Sequence, residues 1–315
     1  MIATYHEART RALERALADD PELLLLGGSL SLPFNPDDGL AARHPERILL
    51  PPISEFATAA AAVGASIAGL RTLVPVSTSS FLFYGFAPVV NEAANVRYLS
   101  GGASNAPVTF HMMCGSRRGG GAQHEHTLQA MFQNVPGLRV IAPGTPASVD
   151  GALHAALTGE DPTILIDHIL LAPFDGELGE APAAVTDPAL VRDGGDAMLV
   201  SYSLMLQHCL AAAQLLAEDG LEVAVLEVAT LAPLAVEELI NATAGHERLV
   251  FVDESRAAGS PASHMLAQVA QARPQTHTRL VCTLDAPAPF ATHLLDEILP
   301  TPARIAAATR ALIAA

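Results

Sequence analysis

Short apolar runs alternate with helix-length segments along nearly the whole 315-residue chain, and this rhythm restricts the fold more than any other feature. The runs at 22–26 (ELLLL), 72–77, 108–113 (VTFHMM), 138–142 and 163–167 (TILID) read as strands, as do 197–202, 222–228, 249–253 and 279–283. Helical patterns fall between or after them at 55–69, 147–158, 203–219, 235–245 and 303–315. Continuous apolar strands separated by helices imply parallel sheets covered on both faces, because each crossover must pass over a sheet face. The expected class is therefore α/β with two parallel-sheet domains. The stretch 171–195 (LAPFDGELGEAPAAVTDPALVRDGG) breaks the rhythm with Pro, Gly and acidic residues and no periodicity. It reads as the linker between a domain at 1–175 and a smaller one at 190–315.

Charge removes several function classes. The net charge is −16, and all 17 basic residues are arginine. Without lysine there is no Schiff base to pyridoxal phosphate or to a carbonyl substrate, and no Walker lysine. An acidic chain without Trp is also a poor nucleic-acid binder. The N-terminal MIATYHEARTRALERAL reads as an amphipathic helix, with no signal peptide or membrane span. The cysteines Cys114, Cys209 and Cys282 form neither a close pair nor a metal spacing, which suits a reduced, cytoplasmic setting.

Two segments carry chemistry. In RILLPPISEFATAAAAVGASIAGLR (47–71), a short strand meets a Pro-Pro corner and Glu55 opens a helix. Glu55 can be a first-turn acid favoured by the helix dipole. It can equally be a carboxylate displayed at the carboxyl end of a parallel strand, where open sheets place their sites. In MMCGSRRGGGAQHEHTLQAMF (112–132), Gly119–Gly121 separate a strand from a helix and precede His124. Such a loop lets backbone approach a ligand closely, although a single His is often structural. His124 and His126 lack the HExxH spacing of a zinc site. Neither a G-x-G-x-x-G fingerprint nor a G-x-S-x-G elbow occurs.

The motifs PPISE (51–55), GASIAGLR (64–71), VVNEAANVRYLSGG (89–102), GGGAQH (119–124), PGLRVIAPGTPASVDG (136–151) and LLDEILPTPARIAAATRALI (294–313) appear in order through nearly the whole chain. In this combination the sequence resembles the beta subunit of the thiamine-diphosphate-dependent decarboxylating component of 2-oxo acid dehydrogenase complexes, within the wider transketolase group. The resemblance implies a pyrimidine-binding domain followed by a transketolase C-terminal domain. It implies that Glu55 hydrogen-bonds the cofactor's pyrimidine nitrogen and so promotes loss of the thiazolium proton. It places the stacking aromatic at Phe81 with Tyr84 nearby, adds Ile53 to the cofactor pocket, and makes His124 the active-site histidine. More weakly, it implies a monovalent cation such as potassium, held mainly by backbone carbonyls at Ala156, Leu157, Gly159 and Asp161.

No G-D-G motif for the diphosphate-bound magnesium is present. The resemblance assigns that motif to an alpha subunit, in an α2β2 heterotetramer with the cofactor across the interface and the C-terminal domain dimerising the assembly. It also implies docking of a lipoyl acyltransferase. Two departures stand out. Gly27-Gly28-Ser29 replaces the family's G-E-[DE], and Ala87, beside Pro88, replaces an acidic residue. Their loss puts a proton relay between paired active sites in doubt. It keeps two alternatives open: a split transketolase-like subunit passing a two-carbon ketol unit to an acyl carrier protein, and a non-catalytic scaffold.

Overall fold

A computed structural model describes residues 1–27, 40–116 and 119–315. Its strands are β1 (Ile2–Thr4), β2 (Leu24–Leu26), β3 (Ile48–Leu49), β4 (Thr72–Val76), β5 (Val108–Met113), β6 (Arg139–Ile141) and β7 (Thr163–Asp167). The second half adds β8 (Asp175–Glu177), β9 (Ala189–Arg192), β10 (Ala197–Ser201), β11 (Val223–Glu227), β12 (Thr230–Ala232), β13 (Arg248–Arg256) and β14 (His277–Thr283). The helices of the first half are α1 (Tyr5–Asp19), α2 (Leu40–Arg43), α3 (Glu55–Ile67), α4 (Val96–Leu99), α5 (Gln129–Gln133) and α6 (Pro146–Thr158). Those of the second are α7 (Ser203–Ala217), α8 (Val236–Thr243), α9 (Pro261–Ala272), α10 (Thr292–Ile298) and α11 (Pro302–Ile313).

The larger sheet runs β12-β6-β7-β5-β4-β2-β3, parallel except for β12 at its edge. The smaller runs β14-β13-β10-β11-β9, parallel except for β9. Every residue of β4, β5 and β7 is buried, as two-sided helix cover requires. The apolar runs expected as strands are all strands, and each expected helix is present within a few residues of its bounds. Four short strands were not expected, among them β1 in the N-terminal stretch read as helix. Within 171–195, β8 pairs with β1 and β9 edges the second sheet. Further on, β12 crosses back to pair with β6 of the first sheet. Three or four residues carry too little periodicity to announce a strand, so only pairing partners reveal them.

The halves share a core and buried polar ties. One apolar cluster runs from Leu13 and Leu153 to Leu206 and Val225. Glu227, at the end of β11, accepts from Gly144 N and Ser148 Oγ at 2.7 Å each, at the amino end of α6. Within the first half, Arg9 of α1 donates to Asp167 Oδ2 at 2.9 Å, and His111 Nε2 lies 3.1 Å from the same oxygen. Burial lowers the His111 pKa against the pull of Asp167, so the imidazole is a neutral N–H donor. Burial alone would raise the Asp167 carboxyl, but Arg9 and His111 hold it well below the usual carboxylate range.

Arg9→Met should therefore destabilise the chain by about 3–5 kcal/mol in urea unfolding, because Asp167 would keep its burial and lose its guanidinium. The stability that Asp167 contributes is present above its unfolded pKa of about 3.9 and is lost as pH falls through the acid range. That acid dependence should weaken in the variant.

Candidate active site

The site is built at the carboxyl ends of β2, β3 and β4. After β3, Pro51 and Pro52 keep the chain extended, since proline disfavours helix in the residue before it. Ser54 then caps α3, its Oγ accepting from Ala57 N at 3.3 Å. Capping thus falls to Ser54 and leaves Glu55 free for other use. Glu55 is half-buried, and no described residue donates a hydrogen bond to its carboxylate.

Glu55 lines a cavity of about 100 Å3 with Ile53, Ser54 and Thr58. The opposite wall is Gly27 with Val74–Ser77 at the end of β4, closed by Phe81 and Leu82. Phe81 sits on a 3-10 turn, Ser79–Phe83, that packs against the first turn of α3. Gly85 makes that approach possible, because a Cβ there would stand 3.1 Å from the Glu55 carbonyl oxygen.

The same turn grips the glycine loop. Ser80 Oγ donates to Gln123 O at 2.6 Å, and Ser79 Oγ to His126 O at 3.0 Å. The Phe81 and His124 rings meet edge to face with centroids 5.5 Å apart, and Phe83 meets His126 likewise at 5.8 Å. Ile53, Glu55 and Phe81 thus line one cavity, and His124 stands outside that lining, against the Phe81 ring. Tyr84 is also outside the lining and is 73% exposed. Ile53, Phe56 and Tyr84 are exposed apolar side chains on the segments that carry Glu55 and Phe81. Gly28 and Ser29 lie outside the described residues, and Ala87 is exposed.

Two acids escaped sequence reading. Glu125 accepts from Gly120 N at 2.8 Å and Gly119 N at 3.1 Å. Glu254, at the end of β13, accepts from Ser116 N at 2.6 Å and lies 3.2 Å from His168 Nε2. Leu170 N donates to His168 Nδ1 at 3.2 Å. Burial would raise the Glu254 carboxyl, but His168 and Ser116 pull it below its ordinary value. Desolvation, then the Arg256 guanidinium, lower His126. In sequence Glu254 merely follows the expected strand 249–253, and only packing shows that it reaches across the halves.

Of the four carbonyls that the resemblance turns toward a monovalent cation, those of Ala156, Gly159 and Asp161 each accept one hydrogen bond. Ala156 O accepts from Thr109 Oγ1 at 3.3 Å, and Asp161 O from Thr163 Oγ1 at 3.2 Å. Gly159 O accepts from the Arg71 guanidinium, Leu157 is buried in α6, and the Asp161 carboxylate pairs with Arg97 at 3.1 Å.

This two-part architecture has known counterparts. The transketolase pyrimidine-binding domain matches residues 2–172, and the transketolase C-terminal domain matches 188–305. The chain belongs to the transketolase family. Among its relatives, this transketolase-type chain is 33% identical to the acetoin:2,6-dichlorophenolindophenol oxidoreductase subunit beta of Cupriavidus necator, over 96% of this chain and 95% of that one. It is 28% identical to the pyruvate dehydrogenase E1 component subunit beta of Rickettsia felis, with the same coverage. A split-gene transketolase, solved as an inactive beta4 tetramer, superposes with a TM-score of 0.81 over 98% of both chains at 20% identity, a likeness of fold. The expected fold class is the observed one. Among the described residues, no helix is long and apolar enough to cross a membrane.

The division of labour between Ser54 and Glu55 is testable. Ser54→Ala should cost about 0.5–2 kcal/mol in chemical denaturation. Glu55→Gln, which removes no protein hydrogen bond, should leave stability within about 0.5 kcal/mol of the parent.

Proposed function

We propose that this chain is the pyrimidine-binding beta subunit of a thiamine-diphosphate-dependent heterotetramer that decarboxylates a 2-oxo acid and passes on the acyl unit. The observation that carries this reading is the Glu55 carboxylate, without a hydrogen-bond partner among the described residues, lining an apolar cavity walled by Phe81. Such a lining fits a flat, basic heterocycle: the aromatic and aliphatic side chains hold the ring, and the carboxylate meets a ring nitrogen. Bound thiamine diphosphate supplies a thiazolium carbon that becomes nucleophilic when its proton leaves. Glu55 holds and exchanges a proton with the pyrimidine ring, which is acid–base catalysis through a conjugated system. His124, beyond Phe81, is placed to transfer a proton or to stabilise an oxyanion at the substrate carbonyl.

The same cavity argues for a partner. None of its described lining residues is basic, so they offer no charge partner to a diphosphate, whose magnesium needs oxygen ligands of its own. In this reading an alpha subunit supplies both, and it covers the exposed apolar side chains of Ile53, Phe56 and Tyr84. The relatives named for pyruvate and acetoin support a small 2-oxo acid or ketol as substrate. The acyl acceptor in this reading is a lipoyl acyltransferase or an acyl carrier protein.

Two measurements test the proposal. Titration calorimetry of the isolated chain with thiamine diphosphate and magnesium should show no micromolar binding, whereas the assembly with its alpha subunit should bind. In the assembled enzyme, Glu55→Gln should slow exchange of the thiazolium proton into heavy water by at least about 100-fold, with turnover falling alongside. Normal exchange in a well-assembled variant overturns the assignment.

A further inference from the structure

The turn that carries His124 contains three consecutive glycines, the residues least able to hold a conformation unaided. Gly119 has φ +126° and Gly121 φ +65°, left-handed values open to glycine at little cost. His124 N donates to Gly121 O at 3.1 Å and closes the turn. One oxygen of Glu125, Oε1, collects both Gly119 N and Gly120 N. The other, Oε2, accepts from Ser116 Oγ at 3.3 Å. Bonds from amides to an ionised carboxylate are shorter and stronger than neutral ones. Ser116 is itself held through its backbone amide by Glu254 of β13, so the glycine turn is referred to the second sheet.

We infer that Glu125 is a positioning residue for His124: its buried carboxylate fixes the glycine peptides that aim the imidazole. Glu125 does not line the cavity beside Glu55 and is 8% exposed, so its influence passes through the backbone. His124 needs such support, because its Nδ1 is buried with no hydrogen-bond partner among the described residues. The Phe81 edge contact restrains one side of the ring. The peptide frame set by Glu125 and by Ser80 at Gln123 O restrains the rest. A displacement near 1 Å at such a group is enough to cost on the order of 100-fold in rate.

The inference rests on the reading of His124 given above, and a double-mutant cycle separates the two. The assembled enzyme would be assayed with pyruvate or acetoin, whichever the parent turns over, and dichlorophenolindophenol as electron acceptor. Glu125→Ala should lower kcat by about 10–100-fold while KM changes by less than about threefold, the pattern of a lost transition-state contact. Glu125→Gln should recover most of the loss, since its amide oxygen still accepts from Gly119 and Gly120. Added to His124→Ala, Glu125→Ala should cost little more, because residues acting through one group are not additive. Independently of turnover, the Gly119 and Gly120 amides should exchange with solvent at least about tenfold faster in Glu125→Ala and not in Glu125→Gln.

A fully additive double variant, or normal kcat despite faster amide exchange, overturns the positioning role. Unchanged turnover in His124→Ala alone overturns the reading of His124 instead. If Glu125→Ala fails to assemble, Glu125→Ser leaves a smaller gap at the same position, and parental kcat in that variant is equally fatal to the inference.

Discussion

Burial on both faces of the central parallel strands is the constraint to which the rest of this structure answers. Each residue of β4, β5 and β7 is buried, so polar side chains on those strands must find partners inside. Thr72 meets Ser66 Oγ at 2.7 Å, Thr109 donates to Ala156 O, and Asp167 accepts from both Arg9 and His111. With the strands committed to packing, reactive groups can stand only where the strands end. Glu55, Phe81 and His124 all follow the carboxyl ends of strands, where the helix amino ends also converge.

The second half acts on that edge from a distance. Glu227 and Glu254 end β11 and β13, and each buries its carboxylate against backbone amides of the first half, at Gly144 and Ser116. Hydrogen bonds to charged groups contribute roughly 1.5–3 kcal/mol each, and a pair of them is large against a net stability near 5–15 kcal/mol. The C-terminal sheet thus serves as the reference frame for the loop that presents His124. The crossing strand β12 binds the halves a third time, through backbone bonds to β6.

An acidic chain without lysine spends its arginines on carbonyl oxygens. Arg47 closes the end of α1 by donating to Leu17 O and Asp20 O. Arg273 does the same beyond α8 at Thr243 O, Ala244 O and His246 O, and Arg304 serves α10 at Ile298 O and Leu299 O. Arg139 and Arg71 meet the carbonyls of Ala155 and Gly159 at the end of α6. The planar guanidinium reaches two or three carbonyls at once, and its charge suits the negative end of a helix dipole. For that reason Arg71 meets the Gly159 carbonyl just beyond the end of α6.

Local pattern was sufficient for the long strands, the main helices and the placing of Glu55 and His124 in their turns. Each of those readings depends on residues within about ten positions of one another, and apolar periodicity reports that range directly. The three-residue β12, the reach of Glu254 to Ser116 and the seat of Glu125 beneath the glycines could not be read this way. Their partners come from other elements: 138 positions separate Ser116 from Glu254. The displacement of Tyr84 from the cavity is likewise tertiary, since the 3-10 turn at Ser79–Phe83 rotates Phe81 inward and leaves Tyr84 outside. The sequence by itself determined an α/β chain with a carboxylate and a histidine at strand ends, because hydrophobic period and turn chemistry are local. Only the tertiary structure decided which of the nearby groups share one cavity and which acids hold its loops, because that depends on how buried charges far apart in the chain find donors.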